Sequence, residues 1–164
     1  MRIIVVSDTH GRTDVLERVL AAHPDADRFI HLGDGMGDIE LFRERHPTCP
    51  LYSVRGNTDT LSTDPEMLDM TVAGQRILCV HGHTFSVKRS DEMLRDYAQK
   101  AGYDIVLYGH THQPVYHYSG GIHFLNPGSA VSGVWYRFGI VDITSTGVVC
   151  MTAEIPRNTH MSGS

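Results

Sequence analysis

Five short runs of β-forming residues in this 164-residue chain each end in a cluster of histidine, aspartate or asparagine. Ile3-Ile4-Val5-Val6 leads to Asp8-Thr9-His10, and Phe29-Ile30-His31-Leu32 to Gly33-Asp34. Leu51-Tyr52-Ser53-Val54 is followed by Gly56-Asn57, and Ile77-Leu78-Cys79-Val80 by His81-Gly82-His83. Ile105-Val106-Leu107-Tyr108 closes on Gly109-His110-Thr111-His112. In an α/β sheet, binding residues gather at the carboxyl ends of the strands, so these clusters can meet at one edge of the fold. Carboxylates and imidazoles converging there make a metal site the first expectation.

The length suits one domain with a substantial core, expected over residues 1–156, followed by a polar tail at 157–164. Hydrophobic residues make up 41% and charged residues 20%, a globular rather than disordered balance. Net charge is −5, and the basic residues, twelve Arg and two Lys, are scattered. A protein that tracks a nucleic-acid backbone needs a basic stripe, so long nucleic acids are excluded as partners while a small phosphoester is not. Cys49, Cys79 and Cys150 form no Cys-x-x-Cys pair, which argues for reduced thiols rather than a thiolate metal site. No apolar run approaches the ~20 residues that span a bilayer, and the chain begins directly in a core strand. A cytoplasmic protein without membrane association is the expectation.

Hydrophobic spacing predicts strands at 2–7, 28–32 and 51–55, alternating with helices near 13–22 and 38–46. Val15, Leu16, Val19 and Leu20 mark one face of the first helix, with Thr13 or Asp14 placed to cap it. This alternation predicts a parallel sheet with right-handed crossovers. After a loop at 58–67 the chain turns strand-rich. Residues 69–73 and 76–80 flank a Gly74-Gln75 turn, and further strands are expected at 104–108, 114–118, 122–125, 134–143 and 147–154. One helix near 91–101 is capped by Ser90 and stopped by Gly102. Two packed sheets with helices outside follow from this order.

Two divalent ions about 3.5–4 Å apart need a shared carboxylate, some neutral donors and open positions for substrate oxygens. Asp8 and His10, like His110 and His112, are two residues apart at a strand end, where the pleat breaks and both side chains can face one site. Gly33 lets the chain turn sharply and present Asp34. Asn57 also follows a glycine and offers a neutral amide oxygen, and His81 completes the set. Mixed oxygen and imidazole ligation suits transition metals, manganese first, then nickel, zinc or iron, better than Mg or Ca alone. Water on such ions has its pKa lowered toward ~7, which yields a nucleophile near neutral pH.

The ordered set Asp-x-His, Gly-Asp, Gly-Asn, His and Gly-His-x-His resembles the calcineurin-like metallophosphoesterase superfamily. The short length, and Asn126-Pro127-Gly128-Ser129 after the last histidine pair, are similar to its small bacterial and archaeal phosphodiesterases. The resemblance implies an α/β fold, a four-layer αββα sandwich of two mixed β-sheets flanked by helices. It also implies two metal ions: Asp8, His10 and His112 on the first, Asn57, His81 and His110 on the second, with Asp34 bridging. A hydroxide between the ions would attack phosphorus in line, making the implied activity phosphodiester hydrolysis. The same site could serve hydrolysis of nucleotide pyrophosphate bonds. A retromer subunit shares this fold as an interaction scaffold, but loss of ligands would favour that role, and here all seven are present.

One position departs from the family pattern. Many relatives carry histidine after Gly-Asn, where it protonates the leaving alkoxide; this chain has Thr58-Asp59. A threonine hydroxyl is no general acid near pH 7. Asp59 is therefore the neighbouring catalytic candidate, although it would be ionised unless buried. Asn57 is read as touching substrate as well as metal. His83 is read as contacting the substrate phosphate or supporting a ligand. Arg55, Lys88 and Arg89 are expected to be solvated charges, Asn126 to Ser129 a turn near the site, and Trp135 a core residue. Exposed edge strands in the second half could pair two copies into a homo-oligomer.

Overall fold

Alternate residues of the first strand serve two different cores. In β1 (Arg2–Val6), Ile3 and Val5 enter one apolar cluster, Ile4 and Val6 another, because successive strand side chains point to opposite faces. The computed structural model describes residues 1–157, so the expected tail lies outside the described residues beyond Arg157. The remaining elements, in chain order, are α1 (Thr13–Ala22), β2 (Arg28–His31), α2 (Met36–Arg45), β3 (Leu51–Ser53), β4 (Met67–Val72) and β5 (Gln75–Val80). Then follow α3 (Glu92–Ala101), β6 (Ile105–Leu107), β7 (Pro114–Ser119), β8 (Ile122–Pro127), β9 (Val131–Ser132), β10 (Trp135–Thr144) and β11 (Gly147–Pro156).

One sheet runs in the order β11-β10-β1-β2-β3, with β9 paired to β10; the other runs β4-β5-β6-β8-β7. Both are mixed. β1, β2 and β3 are parallel and meet antiparallel β10, while β5, β6 and β8 are parallel between antiparallel β4 and β7. Between the sheets lie Ile3, Val5, Ile30, Leu32, Ile77, Ile105, Leu107 and Leu125. Outside the first sheet, Val15, Leu16 and Val19 of α1 and Phe42 of α2 cover Ile4 and Val6. Outside the second, Leu94 and Ala98 of α3 cover Leu78, Val106 and Phe124. The result is the αββα sandwich. Each fully buried Ile or Leu of the central layer contributes about 1.5–3 kcal/mol. That layer lies directly behind the strand ends where the ligand clusters emerge, so strained loops are mounted on stiff strands.

The element positions differ from expectation in informative ways. α2 begins at Met36, two residues early, because the Asp59 carboxylate accepts the N–H groups of Gly35 and Met36 at 3.0 Å each and stands in for a local cap. Neither Thr13 nor Asp14 caps α1; the N-cap is Arg12, which makes no side-chain cap bond, and Asp14 binds Arg12 and the Tyr136 hydroxyl instead. The hairpin turns on Ala73-Gly74 rather than Gly74-Gln75, with φ +49° and +80° and Val72 opposite Gln75, the two left-handed residues of a type I′ turn. Gly102 ends α3 at φ +78° as read. Trp135 is 39% exposed rather than a core residue; its neighbour Tyr136 is the buried one. Cys79 and Cys150 are free thiols in the central layer, where burial pushes each up to about 12. Among the described residues no helix is long and apolar enough to cross a membrane.

Candidate metal centre

The clusters emerge from the carboxyl ends of β1, β2, β3, β5 and β6, all of them members of parallel pairs within their sheets. Asp8, His10, Asp34, His110 and His112 all have left-handed backbones, with φ of +57°, +45°, +60°, +68° and +63°. Among the described residues the other non-glycine residues with positive φ are Ala73 and Ser86 alone. Each such conformation costs of order 1–3 kcal/mol and persists only where surrounding contacts enforce it. Here they do: Asp8 N–H donates to Gly33 O at 3.0 Å, His10 N–H to Asp34 O at 3.1 Å, and Gly109 N–H to His81 O at 2.9 Å. Gly33 cannot be replaced by a larger residue, because a Cβ there would lie 2.6 Å from the backbone nitrogen of Gly56, at φ +101°.

The side chains fall into two groups. In one, Asp8 Oδ1 lies 3.2 Å from His112 Nε2 and 3.6 Å from His10 Nε2. In the other, His81 Nε2 lies 3.1 Å from His110 Nδ1 and 3.4 Å from Asp34 Oδ2, with Asn57 Oδ1 at 3.1 Å. The ligand atoms of Asp8, His10 and His112 all lie within 4.8 Å of one another, as do those of Asp34, His81 and His110. His81 Nε2 is also 3.9 Å from Asp8 Oδ1, so the groups adjoin.

Two observations test whether a cation fits. Asp8 Oδ1 is buried without a hydrogen-bond partner, whereas Oδ2 accepts the Ser7 hydroxyl and, at 3.2 Å, the His110 N–H. An orphaned carboxylate oxygen costs of order 1–3 kcal/mol or more, and a cation facing His10 and His112 would satisfy it. Second, His81 Nδ1 donates to Leu32 O at 2.7 Å, which turns Nε2 toward three acceptors. One positive charge is what that point requires. Burial lowers the His81 pKa, but the Asp34 hydrogen bond and the Asp8 charge outweigh it and raise it above the ordinary value. Burial pushes Asp34 up, yet hydrogen bonds from His81 and Thr58 overcome it and hold the carboxyl well below the usual carboxylate range. His110 is lowered to about 4, chiefly by burial and then by His81 and Lys88. Both groups therefore fit divalent ions.

Residues that the sequence marks only as turn or strand positions hold this arrangement. Asn126 is fully buried; its Nδ2 donates to Gly109 O and Thr111 Oγ1, and its Oδ1 accepts Gly128 N–H. Ser129 Oγ donates to Asp8 O at 3.2 Å. The Asn-Pro-Gly-Ser turn thus ties the His110 loop to the Asp8 loop. Behind the site, Gly33 N–H donates to His31 Nδ1, and His31 Nε2 lies 3.0 Å from Thr9 Oγ1, whose hydroxyl donates to Asp38 Oδ2 at 2.6 Å.

Asp59 requires a correction. It is buried as a catalytic acid would need, but both oxygens are filled. Oδ2 accepts Asp34 N–H and Gly56 N–H at 2.7 Å each, and Oδ1 accepts Gly35 and Met36 N–H. A carboxylate receiving four N–H groups is fully occupied as an acceptor. It pins the Asp34 and Asn57 loops together. His83 lies beside the second group, its ring centre 5.5 Å from that of His81, with Nδ1 buried and without a partner. Arg55 is paired with Glu66 at 3.2 Å.

Comparison with known proteins agrees with this geometry. The profile of the calcineurin-like phosphoesterase superfamily domain matches residues 1–146. The chain is 30% identical over 131 residues to the probable metallophosphoesterase YsnB of Bacillus subtilis, covering 79% of this chain and 75% of that one. It is 28% identical over 181 aligned positions to the phosphodiesterase YfcE of Escherichia coli, covering 94% of each. Among solved structures, a predicted phosphoesterase from Streptococcus pneumoniae superposes with a TM-score of 0.75 at 28% identity, over 95% of this chain and 97% of that one. Wild-type Vps29 of Entamoeba histolytica complexed with zinc gives 0.71 at 21% identity, over 94% and 99%, a likeness of fold.

Proposed function

The chain belongs to the calcineurin-like phosphoesterase superfamily, and from that premise we propose that it is a metal-dependent phosphodiesterase acting on a small phosphoester. The observation that carries the proposal is the adjacency of Asp8, His10 and His112 to Asp34, His81 and His110, with an orphaned carboxylate oxygen between them. The E. coli relative named as a phosphodiesterase, aligned along 94% of the chain, supports it. Asp8, His10 and His112 would hold one ion, Asn57, His81 and His110 a second, with Asp34 shared; manganese is the first choice, then nickel, zinc or iron. Two such ions, when bound, supply Lewis acidity, an activated water nucleophile and charge neutralisation at phosphate. Residues 1–156 act as one domain, in the cytoplasm.

The chain's own residues do the rest. Left-handed backbones and the central β-layer hold the ligand side chains in place before substrate arrives, so little reorganisation accompanies binding. Asn57 and His83 border the space where the phosphate would lie and can donate to its oxygens. In the overall reaction, water oxygen joins phosphorus, the P–O bond to one alcohol breaks, and a water proton ends on that alcohol. Thr58 and the filled Asp59 carboxylate offer no acid, so solvent must supply this proton. Leaving groups of low pKa, which need none, are cleaved fastest.

The test is hydrolysis of bis(p-nitrophenyl) phosphate by metal-stripped protein after separate addition of Mn, Ni, Zn, Fe(II) and Mg. Turnover restored by a transition metal is expected, with a steep fall in rate as leaving-group pKa rises across an aryl series. No turnover with two ions bound per chain would refute the activity, and a flat series would reveal an efficient proton donor.

A further inference from the structure

We infer that a cavity of about 240 Å³ beside His10 and Thr58 is a subsite for one alcohol substituent of the phosphodiester, and that it accepts a compact substituent without negative charge, such as glycerol. The inference rests on the phosphodiesterase reading and extends it to the substrate class.

Position and shape come first. His10 and Asp34 of the two ligand groups form part of the wall, with Gly11, Gly37, Asp38 and Asp59 among the rest. A substituent of a phosphate held at the ligands can therefore enter it. Added Cβ atoms at Gly11 and Gly37 would meet nothing within 4 Å, so two missing side chains keep the space open. Its volume is below the roughly 300–1,000 Å³ of pockets that bury drug-sized ligands. A short alcohol fits within it.

Charge decides the chemistry. A glycine-rich turn entering a helix beside a phosphate site is ordinarily a second anion site, because its N–H groups point outward. Here the Asp34, Gly35 and Met36 N–H groups donate to Asp59, and the Gly11 N–H donates to Asp38 Oδ2 at 2.9 Å. Among the described residues no Lys or Arg lines the cavity. The ions' own charge must be included. Two divalent cations, the Asp8 and Asp34 carboxylates and one diester anion leave a single net positive charge, which the Asp38 and Asp59 carboxylates more than offset. A second phosphate or a carboxylate in the cavity meets repulsion there; an uncharged hydroxylated group does not. Diesters of small polyols are thus favoured over pyrophosphate-linked substrates.

The experiment compares manganese-loaded wild type with Gly37→Lys and Gly37→Gln on the p-nitrophenyl phosphodiesters of glycerol and of glycerate, with bis(p-nitrophenyl) phosphate as reference. The Gly37 backbone is not left-handed, so either side chain is accommodated without strain. Wild type should favour the glycerol ester by at least tenfold in kcat/KM. Gly37→Lys should cut that ratio at least fivefold, and Gly37→Gln should slow both esters while preserving it. Independently of turnover, (3,4-dihydroxybutyl)methylphosphinate, in which P–C bonds replace both ester linkages, added to zinc-loaded wild type should shift the Gly11 and Gly37 amide NMR signals. Turnover of the reference with equal rates for the two esters, a ratio untouched by the lysine, or unshifted amides would overturn the subsite and leave the phosphodiesterase standing. Failure to hydrolyse any diester would remove both.

Discussion

Asp34, His81 and His110 lie at or below the surface, whereas His10 and His112 of the neighbouring group have side chains 43% and 47% exposed. The deeper group is also the better braced. Leu32 O orients His81, and the Thr58 N–H donates to Asp34 Oδ1 at 3.0 Å. In the outer group, Asp8 is fixed by Ser7 and the His110 N–H, but the two imidazoles meet only the edge of Asp8, at 3.2 and 3.6 Å, and each other, edge to face at 5.4 Å, in the contacts of the described residues. Immobilising a freely rotating side chain costs about 0.5–1.5 kcal/mol. The outer histidines still have that to lose when an ion binds; His81 does not. Residue types are nearly the same in the two groups, so burial and bracing, rather than ligand chemistry, should make the inner ion the tighter and the outer one the exchangeable ion.

The harshest way to break this asymmetry is Asp34→Asn, which removes the charge assigned to both ions. Metal analysis should find less than one ion per chain, and kcat should fall at least a thousandfold, about 4 kcal/mol. Two ions retained at wild-type affinity would refute the bridging role of Asp34.

Asp59→Ala sharpens the comparison by loosening the inner side. Its carboxylate joins the Asp34 turn to Gly56, next to Asn57, and nothing in it reaches His10 or His112. Leaving its buried N–H partners without an acceptor should destabilise the fold by roughly 3 kcal/mol or more, read from urea midpoints. Calorimetry should show the tighter ion weakened more than the looser one. Asp59→Asn, which keeps one acceptor oxygen, should recover part of both losses. Equal weakening of the two ions would place Asp59 outside the inner group's support.

These two residues also mark what the sequence makes legible. Asp8, His10, Asp34, Asn57, His81, His110 and His112 stand out because each follows a β-run, and strand ends are where an α/β sheet gathers chemistry. The layers were equally readable, since a period of two in β1 and an apolar face on α1 are local signals. Asp59 was not. Three of its four partners are 23 to 25 residues away along the chain, and no local pattern tells an acid from an anchor. The same long-range bonds start α2 before its apolar positions begin. The left-handed backbones escaped notice for a different reason. Glycine announces that conformation, whereas aspartate and histidine, as at Asp8, His10 and His112, adopt it only at a minority of positions, where surrounding contacts hold it. Asn126 was flagged only as a turn residue; its role in tying two ligand loops depends on β8 lying beside β6.

His31 supplies the gentlest probe, because it braces both groups from behind without belonging to either. Gly33, which it accepts from, precedes Asp34; Thr9, which it meets through Nε2, separates Asp8 from His10. Because the Thr9 hydroxyl donates to Asp38, it must accept from His31, and because Nδ1 accepts from Gly33, the ring must be the neutral Nε2–H form. Burial lowers its pKa to about 4, against an ordinary 6.5, partly opposed by Asp59, Asp8 and Asp38. Between those values the unfolded chain binds the proton and the folded one does not. Stability contributed by this group is therefore complete above about pH 6.5, declines as pH falls toward 4, and levels off below. The full loss is roughly 3 kcal/mol, and about 2 kcal/mol of it should be gone by pH 5. In metal-free protein, wild type should lose that much more stability than His31→Gln between pH 7 and pH 5, whatever the variant costs at neutral pH. Parallel pH profiles for the two proteins would mean that His31 takes its proton in the folded state as easily as in the unfolded one. The fixed-polarity chain from Gly33 to Asp38 could not then be the common brace of the inner and outer ligands.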